Sequence, residues 1–478
     1  MRANNCFPAP AAHRYPFKEP ILGLDFALQI VRAAKSRRFL DYLVDLHKRY
    51  SPTMINHTFS MYLVWTDEPE NIKTALSTRF DDWAIGPIRQ VLIKDLLGDG
   101  IFTTDGAYWQ HSRAMVRPNF ARDQVADLDA LEEHMQNLLA LLPRDGSTVD
   151  LQELFHRYSM DASTEFLMGE STRTLLPGHS KLQEQFAKGI ELGLKDATDR
   201  SQRGWFYHLI SHAEVKAAIR EVRRLVDPYV EHALEYRRKH LEAKERGEAG
   251  VEEEKYVFLH ELAKETDDPL RLKNEVLNFL VAGRDTTASL LSTLWFMLAR
   301  YPRVWKKLQA EVDGLEGKLP TYEKLRNMRY LKHCASETLR LYPPVPLLSK
   351  IAIKDTLLPL GGGPDGQSPL FVPEGGQFVY NMWSMHRRKD IFGEDALDFN
   401  PDRWESSSLR PGWGYLPFGG GPRVCLGQQY ALTETYYVTI RLMQHFHSIE
   451  PRDPEPWTEK VAVTLCSLNG TQVGLFPA

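Results

Sequence analysis

Residues 268–302, DPLRLKNEVLNFLVAGRDTTASLLSTLWFMLARYP, read as one long helix that is apolar on nearly every face. Such a helix has no side for water and must be enclosed by other elements. Asp268 is a ready N-cap with Pro269 at the first helical position, and Tyr301 before Pro302 ends it. The length of 478 residues would allow three domains. No linker-like stretch follows residue 20, however, so the chain is predicted to build one large, mainly α domain with a small β portion over 21–478, preceded by a proline-rich lead-in over 1–20. The anomaly is the cluster Arg284, Asp285, Thr286 and Thr287 in the middle of the apolar helix. Polar groups in a buried segment need a reason.

Other segments fill in the frame. Residues 24–46 carry amphipathic helical spacing, and 50–66 alternates like a β-hairpin. Helices are expected over 123–142, 303–313, 321–342 and 426–445, with one long charged surface helix over 213–246 and a polar loop over 247–255. Strand-like pieces over 347–380 surround the turn LPLGGGPDGQSP. The balance of 59 basic against 63 acidic residues leaves no excess positive charge for phosphates, so nucleic acid is excluded as the main partner. Four cysteines, Cys6, Cys334, Cys425 and Cys466, lie far apart with no CxxC pair, which suggests neither a disulfide framework nor a zinc site. No apolar stretch reaches the roughly 18 residues that a membrane span needs. The N-terminal residues lack the apolar core of a signal peptide.

The segment FGGGPRVCLG at 418–427 carries the most chemistry. Its glycines free the backbone, and Pro422 stiffens the turn. Cys425 precedes a helix and has Arg423 nearby, and both favour thiolate over thiol. A thiolate on a rigid loop suits an iron ligand, with backbone N–H groups tuning its electron donation. Two other readings stand beside this one: a buried inert cysteine, and a phosphate loop, although no Lys-Ser/Thr pair completes one.

The pattern Phe-x-x-Gly-x-Arg-x-Cys-x-Gly, filled by Phe418, Gly421, Arg423, Cys425 and Gly427, resembles the haem loop of the cytochrome P450 superfamily. Glu337-Thr-Leu-Arg340 is similar to its Glu-x-x-Arg helix, and Asn400-Pro-Asp-Arg403-Trp404 to the Arg-bearing loop that follows. Ala282-Gly-Arg-Asp-Thr-Thr287 is similar to its oxygen-activating segment, and Trp109-Gln-His-Ser-Arg113 to the helix that meets the haem propionates. The resemblance runs from about residue 20 onward. It implies the cytochrome P450 fold, heme b with Cys425 as the iron ligand, and propionates held by Trp109, Arg113, Lys350 and Arg423. It further implies a Glu337–Arg340–Arg403 network beneath the loop. Asp285 would relay protons and Thr286 would hydrogen-bond dioxygen where the helix opens locally. Arg284 is expected to pair with an acid and to carry no chemistry. His111, His333 and His386 are expected to be structural.

The implied activity is a monooxygenase that hydroxylates an aliphatic C–H bond using O2 and electrons from NADPH through a separate NADPH–cytochrome P450 reductase. The spellings AGRDTTA and LGGGPDGQSPLFVPEGG resemble the fungal group that hydroxylates n-alkanes and fatty acids. That group carries an N-terminal anchor in the endoplasmic reticulum membrane, with the catalytic domain on the cytosolic side. This chain begins near the hinge that would follow such an anchor, so either truncation or peripheral membrane contact is implied. Family position places Trp83, Ile85, Ile101, Phe102, Trp205, Phe206, Leu347, Leu348, Leu465 and Leu468 around a lipophilic substrate, with ordinary core as the alternative for each. Two other functions stand beside the first: a tailoring oxidase acting on one non-fatty secondary metabolite, and a haem protein that does not activate oxygen. The Asp285–Thr286 pair speaks against the last.

Overall fold

A computed structural model describes residues 6–10, 13–19, 21–59, 61–120, 127–178, 181–203, 213–247 and 256–477. Its helices in chain order are α1 (Leu24–Lys35), α2 (Phe39–Arg49), α3 (Pro69–Lys73), α4 (Pro87–Leu97), α5 (Gly106–Val116), α6 (Leu128–Leu141), α7 (Leu151–Met168), α8 (Lys181–Arg203) and α9 (Ala213–Leu225). There follow α10 (Asp227–Glu245), α11 (Phe258–Glu265), α12 (Pro269–Arg300), α13 (Pro302–Asp313), α14 (Tyr322–Asn327), α15 (Arg329–Leu341), α16 (Met382–Met385), α17 (Lys389–Phe392) and α18 (Gln428–His445). The chain is therefore mainly helical, as expected. It forms two compact units, each assembled from separate stretches of sequence: Met1–Gly86, Lys332–Cys425 and Glu455–Leu468 in the first, and Pro87–Leu331, Leu426–Pro454 and Asn469–Ala478 in the second.

The first unit holds most of the β structure. Strands β1 (Thr53–Thr58) and β2 (Met61–Thr66) form the predicted hairpin, with Thr53 opposite Thr66. β3 (Trp83–Ala84) is a short edge strand. In the second unit β4 (Thr148–Asp150) pairs with a strand from the C-terminus. Back in the first, β5 (Leu347–Ala352), β6 (Thr356–Gly362), β7 (Ser368–Val372) and β8 (Gln377–Asn381) fill the predicted strand region. The main sheet has the order β1-β2-β8-β5-β3, with β2 and β8 parallel. Its branched and aromatic residues pack one core, in which Val64, Ile72, Trp83, Phe378, Met385 and Leu416 are buried together. The glycine-rich insert is the turn of the β6–β7 hairpin. Two described residues of the lead-in are paired: Phe7 bridges Leu370, and Arg14 bridges Ile55.

The second unit is organised along α12. The Asp268 carboxylate accepts the N–H groups of Leu270 at 2.9 Å and Arg271 at 3.2 Å, which confirms the cap. Between Asn274 and Ala299 only Ala282, Gly283, Arg284 and Thr286 are not buried. The predicted local opening of the helix does not occur. α12 runs as a single α-helix, and Thr286 Oγ1 donates back to Ala282 O at 2.6 Å without breaking the ladder. The expected single helix over 213–246 is two helices, because Pro228 lacks an N–H and its ring clashes with the preceding turn, so a new helix starts at Asp227. The expected helix over 321–342 is likewise divided at Met328, whose backbone is extended. The start of the helix predicted over 123–142 and nearly all of the 247–255 loop lie outside the described residues.

Candidate active site

In the first unit, Cys425 ends a tight glycine loop. Its N–H donates to Phe418 O at 3.0 Å, and Val424 N–H donates to Gly421 O at 3.1 Å. Gly421 has φ +67°, and a Cβ there would stand 1.8 Å from the carbonyl oxygen of Leu76, so no other residue fits. Cys425 is exposed, which removes the buried inert reading. Arg423 closes the short turn Gly421–Arg423. Lys350, on β5, is buried with its ammonium 5.3 Å from the centre of the Phe80 ring. Gly427, in the second unit, is the N-cap of α18.

Beneath the loop, the predicted network is present and larger than expected. Glu337 and Arg340 are three apart on α15, and both are fully buried. Glu337 Oε1 accepts from Arg340 Nη2 at 2.8 Å, from Arg403 Nε at 2.9 Å and from Asn400 N at 2.9 Å. Its Oε2 accepts from Arg340 Nε at 2.9 Å and Trp404 Nε1 at 3.0 Å. Arg340 Nη1 also reaches the carbonyls of His386 at 2.7 Å and Ala396 at 2.6 Å. A buried ion pair is tolerable when its spare donors are satisfied in this way.

Sequence reasoning missed Asp395. Its carboxylate takes Arg403 Nη1 at 2.9 Å and Nη2 at 3.0 Å, together with Asn400 Nδ2 at 2.9 Å. Those bonds hold the acid below its ordinary range, Asn400 contributing most. The only available signal was an acid close before the Asn400–Trp404 motif. His386 is structural, as expected: its ring is buried and hydrogen-bonded to backbone on both nitrogens.

In the second unit, Asp285 and Thr286 sit at the unburied stretch of α12. Arg284 does pair with an acid, and that acid is Asp285 itself, Nη1 to Oδ1 at 3.0 Å. The same Oδ1 stands 3.7 Å from Nδ1 of His156 on α7, a partner the sequence did not reveal. Trp109 is buried on α5, with Arg113 one turn later on the same face. Among the described residues, no cluster of three or more ligand-type side chains offers a competing metal site.

The candidate substrate residues divide. Trp83 belongs to the main sheet core, with its ring 5.2 Å from that of Phe378. Leu465 is core with Leu40, Val44 and Trp383. Leu347 and Leu348 pack against these clusters, Ile85 is buried and Leu468 is exposed. Phe102 is different. It lies in an aromatic group with Phe279 on α12, whose ring also stacks on Phe120 at 5.2 Å. Ile101, beside it, is buried. Trp205 and Phe206 lie outside the described residues.

These residues fit a haem. In the first unit the exposed thiol sits on a loop that admits only glycine at Gly421; in the second, Ala282, Gly283, Arg284 and Thr286 are the residues of α12 between Asn274 and Ala299 that are not buried.

The family model for cytochrome P450 matches residues 19–471. The chain is 47% identical to cytochrome P450 monooxygenase fsdH of Fusarium heterosporum, over 98% of this chain and 82% of that one. It is 47% identical to cytochrome P450 monooxygenase himC of Aspergillus japonicus, over 96% and 82%. To cytochrome P450 52A3-A of Candida maltosa it is 42% identical, over 91% and 85%. Matched along both units and carrying the thiol loop and the Glu337–Arg340–Arg403 network, the chain belongs to the cytochrome P450 family and is a monooxygenase.

Proposed function

We propose that this monooxygenase hydroxylates an aliphatic C–H bond of a fatty acid, an n-alkane or the alkyl chain of a fungal metabolite. Members of the family carry a haem on a cysteine thiolate and take O2, electrons from a redox partner and lipophilic substrates. Here the partner would be NADPH–cytochrome P450 reductase. The observation that carries the substrate reading is the face of α12 shared by Phe279, Ala282, Gly283 and Thr286: it is apolar except for one hydroxyl, and three of its four residues lie on the unburied stretch. An apolar surface with a single polar group suits an unfunctionalised chain.

Cys425 would be the iron ligand of heme b, with Trp109, Arg113, Lys350 and Arg423 holding its propionates. When bound, the haem supplies dioxygen activation. The protein's part is to orient the substrate, exclude water and move protons. Thr286 must release Ala282 O before its hydroxyl can serve the reacting oxygen, and Asp285 is the neighbouring acid assigned to the proton relay. The Glu337 network keeps the thiol loop from relaxing. Peripheral contact with the cytosolic face of the endoplasmic reticulum membrane is assigned to the outer side of α1, where Leu24, Leu28 and Val31 are exposed.

The deciding experiment is turnover with a fungal reductase and NADPH on alkanes and fatty acids of graded length. Products hydroxylated on the chain, with a length optimum, support the reading. An intact ferrous–carbon monoxide thiolate spectrum without product overturns the fatty-acid and n-alkane readings and leaves a dedicated step on one metabolite.

A further inference from the structure

Asp285 is nearly buried, and its carboxylate faces two basic side chains of unequal character. Arg284 Nη1 is at 3.0 Å, and its side chain is 12% exposed. His156 Nδ1 is at 3.7 Å from the same oxygen, and its side chain is 27% exposed. A guanidinium stays charged throughout the working pH range, so Arg284 can hold the acid but cannot restock it with a proton. An imidazole gains and loses protons near neutrality. Of the three groups His156 is also the most accessible to water. Its helix is fixed against α12 at this level, because Ser159, one turn along α7, donates from Oγ to the carbonyl of Arg284 at 2.8 Å. Ser163, one turn further on, lies against Gly283.

We propose that His156 is the positioning residue that resupplies protons to the Asp285–Thr286 pair: it takes a proton from solvent and hands one to the Asp285 carboxylate. The inference rests on the proton-delivery role read for that pair. The transfer is balanced. Nδ1–H of the imidazolium gives its proton to Oδ1 of Asp285, and the ring becomes neutral. The neutral ring keeps its Nε2–H, so it must turn to bring the vacated, buried Nδ1 to water and regain a proton there, while Asp285 passes its own toward the Thr286 hydroxyl and returns to carboxylate. At 3.7 Å the two atoms stand just beyond hydrogen-bond length, so either side chain must swing inward to make the transfer. Between transfers Arg284 retains the anion. That gives the unburied stretch of α12 a route to solvent by way of α7.

The test uses the full haem-loaded chain with His156→Gln and Asp285→Asn, each checked first for a wild-type ferrous–carbon monoxide spectrum. In protein labelled with 15N at histidine, the His156 ring signals are identified by their loss in His156→Gln. At one fixed pH, Asp285→Asn should move those signals toward the neutral form, because the stabilising anion is gone. His156→Gln should lower product formed per NADPH consumed several-fold and raise peroxide release. Unmoved ring signals in Asp285→Asn, or unchanged coupling in His156→Gln, would overturn the inference. Full coupling in Thr286→Ala together with moved His156 signals would instead overturn the reading of Thr286 and leave the His156–Asp285 link standing.

Discussion

The ring of His386 ties Leu416 to Arg340: its Nε2 accepts the Leu416 N–H at 2.9 Å, and its Nδ1–H donates to Arg340 O at 3.1 Å. Both bonds need the neutral ring, and burial pushes its pKa down to about 3. Below the unfolded value of about 6.5 the unfolded chain takes a proton that the native ring refuses. The stability linked to His386 is therefore complete above about pH 6.5 and drains as pH falls toward 3, at up to roughly 1.4 kcal/mol per pH unit. His386→Asn removes that titration. Its denaturation midpoint should depend less on pH between 6.5 and 4.5 than the wild type's. At pH 7.5 it should lose about 1–3 kcal/mol, because buried backbone groups lose their partners. Parallel pH slopes for the two proteins would show that the ring is not held neutral.

Glu337 gathers five donors, two of them from the fully buried Arg340 and one from Arg403. Glu337→Ala leaves the fully buried Arg340 without its anion and Arg403 with Asp395 alone, a loss on the order of 3–5 kcal/mol. Purification should yield little haem-loaded protein. Asp395 binds Arg403 from a side that is 43% exposed, and Glu337 remains when it is removed. Asp395→Ala should therefore fold and load haem with only a small drop in midpoint. Equal damage from both substitutions would mean that the network has no centre.

The residues that could be read in the sequence are those whose chemistry is local. Asp268 and Pro269 announce a helix start within four residues, and Cys425 announces itself through the glycines that must surround it. Glu337 and Arg340 share a face by spacing alone. Asp395 and His156 could not be found this way, because nothing near them in the chain marks their partners: the first reaches Arg403 across a loop, and the second reaches Asp285 from another helix. The break at Pro228 was legible but was overridden by the strong charge pattern that continues on both sides. The opening expected in α12 followed from the resemblance, yet Thr286 satisfies its hydroxyl on Ala282 O within the ladder and leaves the backbone intact.

Glu434 lies on α18, fully buried, and among the described residues neither carboxyl oxygen has a hydrogen-bond partner. Burial pushes its pKa up to about 8. The native state thus holds a proton that the unfolded chain releases above about pH 4.5, so the stability linked to it is full below that value and is lost as pH rises through 8. Glu434→Gln keeps the shape without the charge. The variant should match the wild type near pH 5 and exceed it in denaturation midpoint at pH 8. A variant less stable at both values would indicate that the carboxyl is needed for its shape or a water contact.

The helix α1 is apolar on two opposite sides. Phe26 and Ala33 are buried, while Leu24, Leu28 and Val31 form an exposed stripe at 39%, 54% and 38%, and Ile21 just before it is 82% exposed. An apolar face left open beside a buried one calls for a cover. Charge supports the membrane contact proposed for this face. Arg32, Lys35, Arg37 and Arg38 all follow at the helix's end and are exposed. The nearby acids are turned to the backbone, Asp25 accepting from Lys18 N and Glu19 from the N–H groups of Ile21, Leu22 and Leu24. Leucine and valine with a basic flank match an anionic bilayer surface. The chain should bind phosphatidylcholine–phosphatidylserine vesicles more weakly as salt rises. A triple change Leu24→Ser, Leu28→Ser and Val31→Ser should reduce partitioning roughly tenfold or more while the carbon monoxide spectrum stays intact. Undiminished binding by the triple variant would move the membrane contact to another part of the surface.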